Sequence, residues 1–219
     1  MLFEEPERDL LKFEEAAARA GYSAIAGVDE AGRGPLAGPV VSAAVILPPG
    51  WRHSGINDSK QLTAASREML YEVILENAVA VAVGVCTSGT IDRLNILRAS
   101  LESMKKAVKG LTVPADYLLV DGTFRIPMRV PQRTIVGGDG ASLSVAAASI
   151  VAKVTRDRMM VRYDRKFPGY GFADHKGYAC AAHRQAIARL GPCSIHRKTF
   201  SGVREHLPAG EPGEETPLF

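Results

Sequence analysis

The stretch from Ile25 to Gly34, read Ile-Ala-Gly-Val-Asp-Glu-Ala-Gly-Arg-Gly, constrains this chain more than any other. Its apolar start, Ile25 to Val28, has the length and character of a buried strand. Two adjacent carboxylates, Asp29 and Glu30, end the run, and a small-residue turn holding Gly32-Arg33-Gly34 follows at once. Paired acids at the end of a buried strand are poorly solvated and repel each other, a cost that a bound cation removes. Glycines beyond them let backbone approach a ligand closely. An isolated Asp-Glu pair is more often a solvated turn, so other parts of the chain must decide between the two readings. Neighbouring residues of an ideal strand also point to opposite faces. Either a bulge or the longer reach of Glu30 has to bring its carboxylate round to Asp29.

Composition narrows the class. A chain of 219 residues, 46% hydrophobic and 23% charged, reads as one sizeable soluble globular domain. Its longest apolar run, the eight residues from Val79 to Cys86, falls far short of the roughly eighteen of a membrane span. The first residues show neither a basic n-region nor an apolar h-region, so no signal peptide is expected. Three widely spaced cysteines, Cys86, Cys180 and Cys193, read as reduced thiols of a cytoplasmic protein. The net charge of +3 is unevenly spread: Asp121 to His206 holds fifteen Lys and Arg against six Asp and Glu. A basic half that also gathers acids at strand ends suggests a polyanionic ligand with metal in between.

Along the chain, Glu4 to Ala20 reads as a short amphipathic helix stopped by Gly21. Strands are expected at Ala24 to Asp29 and within Gly38 to Leu47, antiparallel and joined by the glycine loop. Asn57-Asp58-Ser59-Lys60 leads into a helix over Thr63 to Asn77, with Thr63 or Ser66 able to cap it. Val79 to Thr87 reads as a strand, and Thr90 to Lys109 as one helix starting near Thr90. Tyr117 to Val120 is a strand running into Asp121-Gly122. Gln132 to Val136 is another, running into Gly137-Gly138-Asp139-Gly140. A long helix over Leu143 to Phe167, a loop over Pro168 to Gly177 and a helix over Ala179 to Leu190 complete the body. No repeat or linker divides residues 1–206, whose helical C-terminal part covers 168–206. The Pro/Gly/Glu-rich residues 207–219 read as a disordered tail.

Three strands thus end in acids beside glycine: Asp29-Glu30, Asp121 and Asp139. Four converging carboxylates make an oxygen-only site, which suits Mg²⁺ or Mn²⁺ and suits zinc poorly. Such sites beside basic surface commonly handle phosphodiesters, where two ions about 3.5–4 Å apart clamp the attacking and leaving oxygens. The residues alone therefore point to metal-dependent phosphoryl chemistry on nucleic acid.

Six segments, in order, also carry a resemblance. They are Gly27-Val-Asp29-Glu30-Ala-Gly-Arg33-Gly34-Pro35, Asn57-Asp58-Ser59-Lys60, Val120-Asp121-Gly122, Gly138-Asp139, Ala146 to Asp157 with Ser149, Lys153 and Arg156, and His175-Lys176-Gly177-Tyr178. Together they resemble the bacterial ribonuclease HII family over Ile25 to Phe200. The resemblance implies an α/β, RNase H-like fold with a central mixed five-stranded sheet flanked by helices. It implies hydrolysis of RNA in RNA–DNA hybrids and at ribonucleotides embedded in duplex DNA, giving a 5′-phosphate and a 3′-hydroxyl. It makes Asp29, Glu30, Asp121 and Asp139 the acids that hold two Mg²⁺ or Mn²⁺ ions, with Asp29 bridging both. Gly32, Arg33 and Gly34 would read the 2′-hydroxyl that separates ribose from deoxyribose. Tyr178 would pack on the sugar at the RNA–DNA step, and Ser59 and Lys60 would grip phosphate. Two departures from the family are Ala141, where relatives often have Lys, and Cys180, where Thr is common.

Other readings are narrower. Lys60, Lys153, Arg156, Arg184 and Arg197 are candidate phosphate contacts, and Arg156-Asp157 a candidate internal pair. No histidine is assigned as a general base, since metal-assisted hydrolysis requires none, and Ser149 reads as helix packing. Ribonuclease HIII and junction resolvases are related alternatives; the former carries an extra N-terminal domain for which the residues ahead of the first strand leave no room. A non-catalytic hybrid-binding module would not need four repelling acids. The terminal Leu218-Phe219 is a candidate contact to a replication sliding clamp. A monomer without membrane association is expected.

Overall fold

A computed structural model gives the structure of the protein and describes residues 9–56 and 62–208. Five strands form one mixed sheet in the order β3-β2-β1-β4-β5. They are β1 (Ile25–Ala31), β2 (Val40–Ile46), β3 (Ala80–Cys86), β4 (Tyr117–Asp121) and β5 (Gln132–Ile135). The first three are antiparallel neighbours, while β1, β4 and β5 run parallel. Parallel strands need crossovers, and the helices supply them. These are α1 (Lys12–Arg19), α2 (Ala64–Asn77), α3 (Ser88–Leu94), α4 (Ile96–Lys109), α5 (Leu143–Lys166), α6 (Phe172–His175) and α7 (Ala181–Leu190).

Alternation along the strands divides the core between the two faces. Ala26 and Val28 of β1 pack with Ala44, Leu118, Val120 and, from α4, Met104 and Ala107. Ala43 and Val45 of β2 face the other way, onto Ala146, Ala147, Ile150 and Val151 of α5 and Leu70 and Ile74 of α2. Gly27 lets α5 lie directly on β1: a Cβ there would stand 2.1 Å from the Ser144 carbonyl carbon. The N-terminus of α5 is held by its own cap, Ser142, and by Glu14 of α1. Glu14 Oε1 accepts from Ser142 Oγ at 2.6 Å, Ser144 Oγ at 2.7 Å and the Ser144 N–H at 3.0 Å. The amphipathic α1 therefore fixes the helix that runs beneath the acids.

Three sequence expectations change. The helix expected over Thr90 to Lys109 is two helices, because Asn95 takes φ +66° and caps α4 by accepting the Arg98 N–H at 3.0 Å. Thr87, rather than Thr90, caps the first of them. The loop Pro168 to Gly177 contains the single turn α6. Among the described residues no helix is long and apolar enough to cross a membrane.

Candidate active site

Asp29 and Glu30 lie within β1, opposite Ala43 and Ser42 of β2, and the register from Ala26 to Ala31 contains no bulge. Pairing of β1 with β4 stops at Val28 and Val120. Both acids therefore stand just past the last rung on that side. Asp29 points to the α5 face, where Ser149 is its hydrogen-bond partner, and it is only 5% exposed. Its Oδ1 also accepts the Glu30 N–H at 2.6 Å. Glu30 comes into the group by reach, and Arg33 Nη1 donates to its Oε1 at 3.2 Å. Asp121, at the end of β4, accepts the Gly138 N–H at 2.7 Å. That bond draws in the 3₁₀ turn Gly138–Gly140, which carries the buried Asp139. Asp139 is thus placed by a turn beyond β5 and not, as the sequence suggested, by the strand end itself.

The charges are crowded. Burial, then Glu30, then Asp121, hold the Asp29 carboxyl well above the usual carboxylate range. Burial also raises Glu30; Arg33 opposes the shift and Asp121 adds to it. Among the described residues, no three or more His, Cys, Asp or Glu side chains close into a group that would hold an ion unaided. Asp29, Glu30 and Asp121 form a crowded carboxylate edge. A hard divalent cation fits such an edge, since it takes one or two carboxylates and completes its shell with water and substrate oxygens.

Beside the acids lies the turn with Gly32, Arg33 and Gly34. Two arginines that the sequence offered as phosphate contacts, Arg156 and Arg197, are instead wholly buried beneath it. Arg197 donates to the carbonyl oxygens of Gly32 at 2.5 Å, Arg33 at 2.7 Å and Gly38 at 3.1 Å. Arg156 donates to those of Pro39 at 3.0 Å, Ala37 at 3.1 Å and Lys176 at 3.0 Å. Burial, and then the charge of Arg156, push Arg197 down to about 9, still charged at neutral pH. Nor does Arg156 pair with Asp157, whose partner is Lys153 at 2.8 Å. Buried polar groups must be paired, and here backbone carbonyls do the pairing.

Tyr178 is exposed, with Lys153 Nζ and Arg156 Cζ each 5.9 Å from its ring centroid. Its backbone is held by a neutral imidazole chain. His183 Nδ1 lies 2.9 Å from the Tyr178 carbonyl, His183 Nε2 lies 3.1 Å from His196 Nε2, and the Cys193 N–H donates to His196 Nδ1 at 2.9 Å. Burial and then His183 push His196 down to about 4. Burial likewise lowers His183. Both rings are committed to each other and to the backbone at Tyr178 and Cys193.

Ser59 and Lys60 lie outside the described residues, as does Leu218-Phe219. Arg184 is exposed. The sequence reading missed Ser149 as the partner of Asp29 and missed the burial of Arg156. A signal for both existed: Ser149, Ala152, Arg156 and Met160 recur at helical spacing, and all four are buried.

The family model described as Ribonuclease HII matches residues 26–203. Ribonuclease HII of Geobacter metallireducens is 62% identical over 201 residues, covering 92% of this chain and 94% of its own. Among solved structures, the ribonuclease H2 of Pyrococcus horikoshii superposes with a TM-score of 0.72 at 26% identity, over 84% of this chain and 96% of its own. The RNase HII of Archaeoglobus fulgidus, solved as a PCNA:RNase HII complex, gives 0.67 at 27% identity, over 81% and 95%.

Proposed function

Because the chain belongs to the ribonuclease HII family of metal-dependent endoribonucleases acting on RNA–DNA, we propose that it cuts 5′ to a ribonucleotide at 5′-RNA-DNA-3′ junctions. The products are a 5′-phosphate and a 3′-hydroxyl, and the biological task is removal of embedded ribonucleotides and RNA primers from duplex DNA. The observation that supports this best is the placement of the crowded acids Asp29, Glu30 and Asp121 next to the turn of Gly32, Arg33 and Gly34. Asp29, Glu30, Asp121 and Asp139 would hold two Mg²⁺ or Mn²⁺ ions. When bound, these supply positive charge where it is needed in an in-line displacement at phosphorus.

The chain's own residues do the rest. Ser149 and the Gly138 N–H orient Asp29 and Asp121. The glycine turn reads the 2′-hydroxyl, and the Tyr178 ring supports the sugar of the following nucleotide. Phosphates fall to Ser59, Lys60, Lys153 and Arg184, and to a groove where Arg67, Arg162, Arg165 and Lys176 outnumber the acids Glu68 and Asp157. We read the protein as a cytosolic monomer with residues 1–206 as one catalytic domain. We also assign Leu218-Phe219 to a sliding clamp, the kind of assembly in which the Archaeoglobus fulgidus neighbour was solved; deleting both residues should abolish capture on immobilised clamp.

The direct test is a duplex with one embedded ribonucleotide, incubated with and without Mg²⁺. Mg²⁺-dependent cutting 5′ to the ribonucleotide, with no cutting of the all-DNA duplex, is the expected result. Equal cutting of both duplexes, or cutting indifferent to chelator, overturns the proposal.

A further inference from the structure

We propose that Arg197 fixes the direction of the Arg33 and Gly34 amides, that Arg156 holds the rest of the loop and Tyr178 in register with them, and that together these positioning residues set how strongly the enzyme prefers ribose to deoxyribose. The inference rests on the reading that this turn meets the sugar.

The geometry follows from the peptide bond. In a trans planar peptide the C=O and the following N–H point in opposite directions, and no described peptide is cis. Arg197 pulls the Gly32 carbonyl inward at 2.5 Å, which turns the Arg33 N–H outward. It pulls the Arg33 carbonyl inward at 2.7 Å, which turns the Gly34 N–H outward. Among the described residues neither N–H has an acceptor. They form a pair of donors side by side at the edge that holds Glu30. Gly34 has nothing within 4 Å of where a Cβ would stand, so internal packing does not require glycine there, and the missing side chain leaves room for a ligand to come close.

Arg156 adds the second half of the device. Its guanidinium spans the far end of the loop, at Ala37 and Pro39, and the Lys176 carbonyl, directly before Gly177 and Tyr178. The Leu36 N–H donates to Gly177 O at 2.8 Å alongside it. Gly32 is seated on the same arginine, since a Cβ there would stand 2.0 Å from Arg156 Nε. One buried fork thus keeps the amide pair and the tyrosine in register across the sugar. No acid pairs with either arginine among the described residues, so their donors are committed to this backbone. Lysine is a point charge on a flexible stem and lacks the planar fork.

The test compares affinity, in EDTA so that nothing is cut, for two duplexes that differ by one 2′-hydroxyl. Wild type should prefer the ribose-containing duplex. In Arg197→Lys and in Arg156→Lys that preference should fall toward unity, by roughly tenfold or more for one or two lost hydrogen bonds. Affinity for the all-DNA duplex should fall by much less. A preference kept intact in both folded variants, or equal weakening toward both duplexes, overturns the inference while leaving the proposed reaction standing. No preference in wild type overturns the sugar-contact reading itself. Should the variants not fold, amide exchange of the wild-type chain decides the matter. Arg33 and Gly34 should exchange freely alone and become protected by the ribose-containing duplex only. Protection already present in the free enzyme, or equal protection by both duplexes, contradicts the assignment.

Discussion

The acid edge and the arginine floor beneath the neighbouring turn each gather like charges out of water, and they do it in opposite ways. Burial, Glu30 and Asp121 raise the proton affinity of Asp29, and burial and Asp121 raise that of Glu30. Arg156 and Arg197 are just as crowded, but carbonyl oxygens of the chain take up their donors. The first cluster keeps like charges close together, and a hard divalent cation would offset them. The second is complete within the fold. Charges held against their like are available for chemistry, while a charge whose partners are backbone is a structural part.

The sharpest way to break this comparison is to remove one charge from each side and measure stability without metal. Arg197→Ala strands the carbonyls of Gly32, Arg33 and Gly38 and should destabilise the protein by about 3 kcal/mol or more in chemical denaturation. A loss within the range of ordinary surface substitutions would show that the floor is not built as described. The neutral histidine chain gives the next effect. His196 is held at about 4 against an ordinary value of 6.5, so the native state binds fewer protons than the unfolded chain between those values. Its contribution is full above pH 6.5 and is lost as pH falls toward 4, by up to about 3 kcal/mol. His196→Gln should flatten that part of the pH–stability curve; an unchanged curve would assign the acid sensitivity elsewhere.

The smallest effect has the opposite sign. Asp29 has its folded proton affinity raised, so its contribution is favourable at low pH and is lost as pH rises through the raised value. Metal-free Asp29→Asn should therefore be more stable than wild type at pH 7, by roughly 1 kcal/mol. Saturating Mg²⁺ should close the gap by stabilising only the wild type. A metal-free Asp29→Asn weaker than wild type would put Asp29 with the structural charges.

Much of this was legible in the sequence. Apolar runs marked four of the five strands, β5 (Gln-Arg-Thr-Ile) being mostly polar, and acid-plus-glycine endings drew attention to Asp29, Glu30 and Asp121 because such endings are costly unless used. Asp139 was expected at the end of β5, whereas a 3₁₀ turn tied to Asp121 carries it. The arginines were misread because charge normally signals solvent. Nothing local in Ser194-Ile-His-Arg197 reveals that four carbonyls converge on it from residues 32–39, over 150 positions away in sequence. Asn95 was missed because a helix break in a left-handed residue leaves the apolar spacing on both sides nearly intact.

Under the proposed function, a divalent ion held at the acid edge makes this fold a nuclease. The measurement that tests it most directly is Mg²⁺-dependent cleavage of a single-ribonucleotide duplex, paired with the Mg²⁺-dependent shift in thermal midpoint, for wild type and for Asp29→Asn with Asp121→Asn. Wild type should cleave and be stabilised by Mg²⁺. The double variant should fold, show no Mg²⁺-dependent shift, and cleave at least about 10³-fold more slowly. A double variant that still cleaves, or is still stabilised by Mg²⁺ as wild type is, would contradict the account.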